Sequence, residues 1–399
     1  MHIGTKKTIR PLEVLAQTTD GESYACHRFC LERYASPDGG GASSTSGFTV
    51  LDCGETDARS ESRDLGRYVR RLRSREEKPL FRYFLDGSRR TYKVDHIRYR
   101  KRVFPVLAAQ LGVACCERQC PDSFRAVSSV CRSRLVLAVP RCADPDGRPE
   151  EFFAGLCQSI NEKCAQRLQG NAIAEIVPYD DSKYEAGLDY ENIAVSVLHE
   201  CMLDMEKQAV CEMAGQRRLL SGGRYLLKDG SLEYAKSKVG QFRDLSLIRN
   251  NFRFVVGVSK NFDPELFKDR RGRPNASQLA KLAEGHRTPA FRLRAQRSGG
   301  EDGFVHLLAW YVRIRGTRHT VSPFDGILKA ELILTGDDPC EKVFESEELD
   351  AISANLVAER LPTCYGQDDR WPNHLYPVFL TEKYLKSQFR SDAVLMNLL

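Results

Sequence analysis

Two apolar, strand-like runs in this chain end in the same tripeptide, Phe84-Leu85-Asp86-Gly87-Ser88 and Leu226-Leu227-Lys228-Asp229-Gly230-Ser231-Leu232. Between them, from about Tyr190 to Gly215, Val195, Leu198, Met202, Met205, Ala209 and Met213 recur three or four apart, the period of a helix that buries one face. Strand runs alternating with such a helix predict an α/β chain, and a mixed sheet can set the two Asp-Gly-Ser strands side by side. An aspartate at a strand tip, followed by a glycine that lets the chain turn, projects a carboxylate from a rigid element into a cleft. One copy alone reads equally as a tight turn with the aspartate bonded to nearby amides. Two copies flanking an acid-bearing helix point to carboxylates that share a cation.

The 399 residues are 42% hydrophobic and 29% charged, enough to bury a sizeable core in one large or two ordinary domains. Sixty Lys and Arg against 54 Asp and Glu give a net charge of +6, too mild to establish nucleic-acid binding without regard to where the charge lies. No stretch approaches the roughly 20 apolar residues that span a bilayer, and the N-terminus lacks the apolar run of a signal peptide, so a soluble cytoplasmic protein without a membrane partner is expected. Fourteen cysteines in a chain of this length are expected as reduced thiols. Cys26 and Cys30, and Cys116 and Cys120 beside Cys115, have Cys-x-x-x-Cys spacing, which would put thiols on one face of a helix turn, but neither set has the paired knuckles of a zinc finger or ribbon.

The segment Ser36 to Gly47, rich in Gly and Ser, reads as a linker and loop, and from Asp57 to Lys78 a basic amphipathic helix is expected, with Leu65, Tyr68, Val69 and Leu72 at helical spacing and Arg67, Arg70, Arg71 and Arg73 between them. Residues 1–78 therefore read as an N-terminal region and 79–399 as the main domain. Strands are expected at Leu80 to Leu85, Tyr92 to Arg98, Phe104 to Val113 and Arg134 to Val139 as an antiparallel meander, followed by a helix from Glu150 to Gly170. Further strands are expected at Arg224 to Lys228, Phe252 to Ser259, Phe304 to Arg315 and Ile327 to Leu334, with a short helix from Glu382 to Phe389. Lys260 falls at a strand tip. Arg270, Arg271, Arg273, Arg287, Arg292, Arg294 and Arg297 form a second basic stretch suited to phosphates.

Mg²⁺ and Mn²⁺ prefer oxygen ligands, so Asp86 and Asp229 with a third acid could hold one or two such ions against a phosphate. Two ions about 3.5–4 Å apart could activate a water and stabilise the leaving oxygen of a phosphodiester. The helix offers Glu200, Asp204, Glu206 and Glu212. Glu200 and Asp204 face away from the apolar stripe, whereas Glu206 and Glu212 flank it on opposite sides, and periodicity does not choose between them. His199-Glu200 lacks the second histidine of a zincin helix, and no Gly-x-x-x-x-Gly-Lys-Ser/Thr loop is present.

The order of strand, Asp86-Gly87-Ser88, acidic helix and Leu227-Lys228-Asp229-Gly230-Ser231-Leu232 resembles the NurA nucleases. Val255-Val256-Gly257-Val258-Ser259-Lys260 and the C-terminal Tyr376-Pro377 with Leu380 resemble later landmarks of that family. The likeness runs from about Leu80 to the C-terminus, with about 113–190 as a large insertion. It implies an RNase H-like mixed sheet flanked by helices and a manganese-dependent (or magnesium-dependent) deoxyribonuclease with exonuclease and single-strand endonuclease activity. It also implies a homodimer that encloses DNA and works with a HerA-type hexameric DNA-translocating ATPase, in DNA repair or in antiviral defence. Matched residue by residue, it assigns the metal-binding acids to Asp86, Glu212 and Asp229, and Lys260 would hold the scissile phosphate. The chain departs from the family after Tyr376-Pro377, where Thr381-Glu382-Lys383-Tyr384 contains no histidine, and His374 lies on the wrong side of Tyr376. Lys383 as a cation and Glu382 as a carboxylate are the alternatives for that place. The rival class is a non-catalytic DNA clamp or adaptor subunit of such an ATPase.

Overall fold

The computed structural model describes residues 9–31, 48–57, 61–184, 189–232, 248, 250–269, 273–295, 306–334, 343–364 and 371–399. The expected linker at 36–47 lies outside them. The chain opens with helix α1 (Pro11–Thr18), strands β1 (Glu22–Ser23), β2 (Phe29–Cys30), β3 (Phe48–Cys53) and β4 (Arg63–Asp64), and helix α2 (Gly66–Arg73). A long hairpin follows, β5 (Phe81–Tyr99) and β6 (Arg102–Cys120), then β7 (Ser123–Ala126), β8 (Arg132–Pro140), α3 (Pro149–Lys163), α4 (Ala165–Leu168), β9 (Ile173–Tyr179) and α5 (Tyr190–Cys211). The second half comprises β10 (Tyr225–Asp229), β11 (Val255–Ser259), α6 (Ala276–Ala280), β12 (His286–Arg287), β13 (Phe291–Ala295), β14 (His306–Arg313), β15 (Ile327–Ile333), α7 (Ser346–Ala358), α8 (Tyr376–Ser387) and α9 (Asp392–Leu398).

The described strands make one sheet, ordered β3-β13-β14-β15-β11-β10-β5-β6-β8-β9, with the short strands paired at its margins. β5, β6 and β8 are the expected antiparallel meander. After α5 the chain returns on the other side of β5 as β10, parallel to it, and β11 pairs parallel to β10. The order β8-β6-β5-β10-β11, with a helix before β10, is that of an RNase H-like mixed sheet flanked by helices. Strands from the first 78 residues join the same sheet, β1 and β2 on β5 and β3 on β13, and the 113–190 segment extends it through β8 and β9.

Side chains alternate across the central strands, and each face has its own core. Leu85, Leu226 and Val255 pack with Leu198, Met205 and Ala209 of α5. Phe84, Leu227, Val256 and Val258 pack on the other face with Leu349, Ile352 and Leu356 of α7 and Val378 of α8. Covered on both sides, these strands read as continuous apolar runs.

Three expectations change. The runs at 80–85 and 92–98 are one strand, so Asp86-Gly87-Ser88 lies within β5 and not at a tip; the polar residues between them are tolerated because β6 pairs with them throughout. The C-terminal helix begins at Tyr376, with Pro377 in its first turn, where a missing N–H costs nothing. Cys115, Cys116 and Cys120 lie on β6, and Cys30 on β2, so the cysteine spacings are not helical, and every cysteine among the described residues is a free thiol.

Candidate active site

The two parallel pairings that flank β10 bring the aspartates together. Lys228 is in register with Leu85 on one side and Asp229 with Val258 on the other, so Asp229 stands beside Asp86 with Lys260 just past the end of β11. By strand parity Asp86 and Asp229 share the face of Phe84 and Leu227, the face on which α8 lies. Lys260 donates to Asp229 Oδ2 at 2.7 Å, and Asn373 fixes its backbone by donating to the Lys260 carbonyl at 3.0 Å.

Asp86 is 5% exposed. Burial, and then the charge of Asp229, push its carboxyl well above the usual carboxylate range, with Lys260 opposing and Glu382 and Glu206 adding to the rise. For Lys260 burial acts to lower the pKa, but Asp229 and Asp86 outweigh it and the net shift is upward. Glu382, just past the middle of α8, thus belongs to the same electrostatic cluster, whereas Lys383 is exposed and lies over the Phe379 ring. Of the two alternatives for the histidine's place, Glu382 is the one beside Asp86. The helix can approach because Ser88 pairs with Gly112, where any side chain would collide with Leu385 and Phe389.

Of the two helix acids that flank the stripe, Glu206 is the one whose charge acts on Asp86 and is acted on by that of Asp229. Glu206 is 3% exposed, and a β-carbon at Gly87 would lie 2.1 Å from its Oε1. The glycine of the first Asp-Gly-Ser therefore serves close approach; only the second turns the chain, with Gly230 at φ +86°. Glu206 Oε2 forms an ion pair with Lys228 at 2.7 Å. Burial raises the Glu206 carboxyl and Lys228 opposes the rise. Glu212 lies one and a half turns further on, at the start of a π-helical turn (Glu212–Gln216), where it is half-buried and held by Arg132 at 2.7 Å. The i+6 offset rotates it away from Glu206's direction.

Two positions that sequence reading passed over hold the site in shape. Lys228, 1% exposed, donates to the Asp229 carbonyl at 2.8 Å and to that of Ser231 at 3.4 Å. Glu331 on β15, fully buried, accepts from Ser231 Oγ and from the Leu232 amide, each at 2.7 Å, and pairs with Lys329 at 2.6 Å. A lysine inside the apolar run Leu226-Leu227-Lys228 was itself a signal, since a buried ammonium needs a partner.

The basic segments divide. Arg67, Arg70, Arg71 and Arg73 of α2 are exposed, with Leu65 and Val69 buried beneath. In the second stretch, Arg287 is wholly buried, bonded to both oxygens of Glu55 and to Asp350, and Arg292 is buried as well, so neither is a phosphate contact. Arg270, Arg271 and Arg297 lie outside the described residues.

The donor set is all carboxylate, which suits a hard divalent cation such as Mn²⁺ or Mg²⁺. No group of three or more His, Cys, Asp or Glu that could hold a metal ion is found among the described residues. No helix among the described residues is long and apolar enough to cross a membrane.

No family model and no curated protein matches this chain. Among solved structures it is similar to the NurA nuclease from Sulfolobus solfataricus, at 10% identity over 76% of this chain and 78% of that one, with a TM-score of 0.37. What the site can do follows from its own side chains.

Proposed function

We propose that this protein is a metal-dependent DNA nuclease whose centre is formed by Asp86, Asp229 and Glu206, with Glu382 at its rim. The observation that carries this reading is the pair Asp86 and Asp229 on adjacent parallel strands, where burial and then the charge of Asp229 raise the Asp86 carboxyl, an arrangement that a cation between them would relieve. Mn²⁺ or Mg²⁺, when bound there, would lower the pKa of a water and offset charge on the leaving oxygen. Asp86 and Asp229 supply oxygen donors from rigid strands. Lys260, which donates to Asp229 Oδ2, would place its ammonium on a non-bridging oxygen of the scissile phosphate. The exposed arginines of α2 bind backbone phosphates without reading sequence. On the sequence resemblance, the reading extends to a homodimer working with a HerA-type hexameric ATPase, in DNA end processing or antiviral defence.

The test is cleavage of labelled single- and double-stranded DNA with Mn²⁺, Mg²⁺ or EDTA, with and without such an ATPase, beside Asp229→Asn. Cutting that needs metal and disappears in the variant supports the nuclease. The ion pairs Lys260–Asp229 and Lys228–Glu206 favour one other reading, a non-catalytic DNA clamp or adaptor in which the lysines neutralise the acids permanently. DNA or ATPase binding without cleavage under every condition would select it.

A further inference from the structure

We propose that the tip of the β5–β6 hairpin is a second nucleic-acid contact, which takes a single strand by pairing Arg100, Lys101 and Arg102 with phosphates and stacking a base on Tyr184. It rests on the nucleic-acid part of the reading above, and on neither its metal nor its cleavage. Tyr99 is in register with Arg102, so Arg100 and Lys101 form a two-residue turn at the end of two 19-residue strands. Along β5 the tip lies about 40 Å from Asp86, at roughly 3.3 Å per residue, so tip and centre engage different parts of a strand. Arg100 has φ +56°, where turns of this length favour Asn, Asp or Gly. Cations thus occupy a turn that local conformation would give to other residues. All three are exposed. The neighbouring Arg98 is taken up by Glu22, whereas no ion pair involves Arg100, Lys101 or Arg102 among the described residues.

A chain of rings ties the hairpin to Tyr184. Tyr99 lies 6.2 Å from Phe104, Phe104 4.8 Å from Tyr190, and Tyr190 4.8 Å from Tyr184, centre to centre. The inner three are buried or half-buried, while Tyr184 is 58% exposed, a ring supported from beneath and open to solvent. Arg102 belongs to the same surface, because its charge acts on the Cys142 thiol and the Cys142 amide donates to Asp181 at 3.0 Å. The adjacent Asp180 accepts from the Ser182 amide and hydroxyl and lies 4.0 Å from Lys183, so it is not left to repel a phosphate alone. Cations beside an exposed ring suit sequence-tolerant binding of single strands, whose bases are free to stack, and not of a duplex, whose bases are already stacked. Val103 is the only large apolar side chain exposed on the described hairpin, too little to seat it in a bilayer.

The experiment is fluorescence anisotropy of labelled oligothymidylate with the full-length protein, in EDTA and over a range of salt concentrations. Wild type is compared with Tyr184→Ala, with Tyr184→Phe and with a triple variant carrying Arg100→Gly, Lys101→Ser and Arg102→Ser, and melting temperatures are recorded for each. Glycine suits the turn, so the triple variant should keep the hairpin. It is expected to lower the slope of log affinity against log salt by about 2, at about 0.7 per lost single-strand phosphate contact. Tyr184→Ala should weaken binding about fivefold or more at an unchanged slope, and Tyr184→Phe, which keeps the ring, should bind as wild type does. An unchanged slope in the folded triple variant overturns the proposal, as does Tyr184→Phe binding as weakly as Tyr184→Ala. If the triple variant does not fold, the two Tyr184 variants decide. Phosphatidylserine vesicles that bind wild type and not the triple variant, with oligothymidylate affinity unchanged, would assign the tip to a membrane and overturn the proposal. Wild type that binds no DNA overturns both this proposal and the nuclease reading. Tip-dependent DNA binding without cleavage in Mn²⁺ sinks the nuclease reading alone and supports the proposal.

Discussion

Asp86 and Asp229 stand on neighbouring parallel strands, and burial together with the charge of Asp229 raises the Asp86 carboxyl. A carboxyl whose folded-state pKa lies above its ordinary value near 3.8 makes the native state bind more protons than the unfolded chain between those two pH values. Stability therefore falls as pH rises through that window, and the cost persists above it. Asp86→Asn removes the cost. In EDTA at pH 7 the variant should melt at a higher temperature than wild type, and the gap should close as pH falls below about 3.8. A variant that melts lower at pH 7 would mean that Lys260 compensates Asp86 fully.

Glu331 carries the opposite sign. Burial would raise its carboxyl, but Lys329, the Leu232 amide and Ser231 outweigh burial and hold it below the ordinary value of 4.5. Its stabilising contribution is present above that value and is lost as pH falls through the lowered pKa. Glu331→Gln should flatten the acid limb of the stability curve measured by urea unfolding. Because Glu331 anchors Ser231 and Leu232, the same variant should slow cleavage by loosening the turn after Asp229.

Gly87→Ala tests close approach. The residue is not in the left-handed region, so backbone strain is not at issue, and the nearest atoms the added carbon meets are those of Glu206. Overpacking of this kind costs about 1–3 kcal/mol, and the displaced carboxylate should lower cleavage by about 10–100-fold. Activity within twofold of wild type, measured with Mn²⁺ at saturation, would show that Glu206 can retreat without loss.

Much of this was legible in the residues, and the exceptions have physical causes. The apolar stripe on α5 and the run before Asp229 were readable because burial on one face leaves a period, and burial on two leaves a continuous run. Asp86-Gly87-Ser88 was misread as a tip because glycine signals a turn and an uncrowded contact equally well, and only the opposing Glu206 distinguishes them. Glu206 and Glu212 flank the stripe symmetrically, so the choice depended on Lys228 from a strand more than twenty residues later and on Arg132 from β8. Arginine density around 287 resembled a phosphate track, but Glu55 and Asp350, distant in sequence, close over it.

The arginines should consequently separate by assay. Arg287→Met leaves Glu55 and Asp350 buried without their shared cation and should destabilise the fold by about 3–5 kcal/mol. It should leave the salt dependence of DNA binding unchanged. Arg67→Ala with Arg70→Ala should do the reverse, with stability within about 0.5 kcal/mol of wild type and the slope of log affinity against log salt reduced by about one per lost phosphate contact. An unchanged slope would remove α2 from the DNA path.

Glu206 and Glu212 are six residues apart on one helical segment, and they should behave as different kinds of acid. Glu206 is buried between Gly87 and Lys228, so Glu206→Gln keeps the shape and removes the charge that offsets a cation beside Asp86. Turnover should fall by about 10² or more, as when a preorganised charge is deleted from a water-poor site. Glu212 is about a quarter exposed and is paired with Arg132, which is exposed to the same degree. A half-buried pair of this sort, still reached by solvent, contributes on the order of 1 kcal/mol, so Glu212→Gln should lower the melting temperature slightly and leave turnover within a few-fold of wild type. Glu382→Gln should fall between them, because Glu382 acts on Asp86 from the solvent-reached side and is already shared with Lys386. Rates measured for the three variants at fixed Mn²⁺ rank the acids directly. A Glu212→Gln enzyme slower than Glu206→Gln would move the centre toward the π-helical turn and restore the assignment that resemblance alone had made.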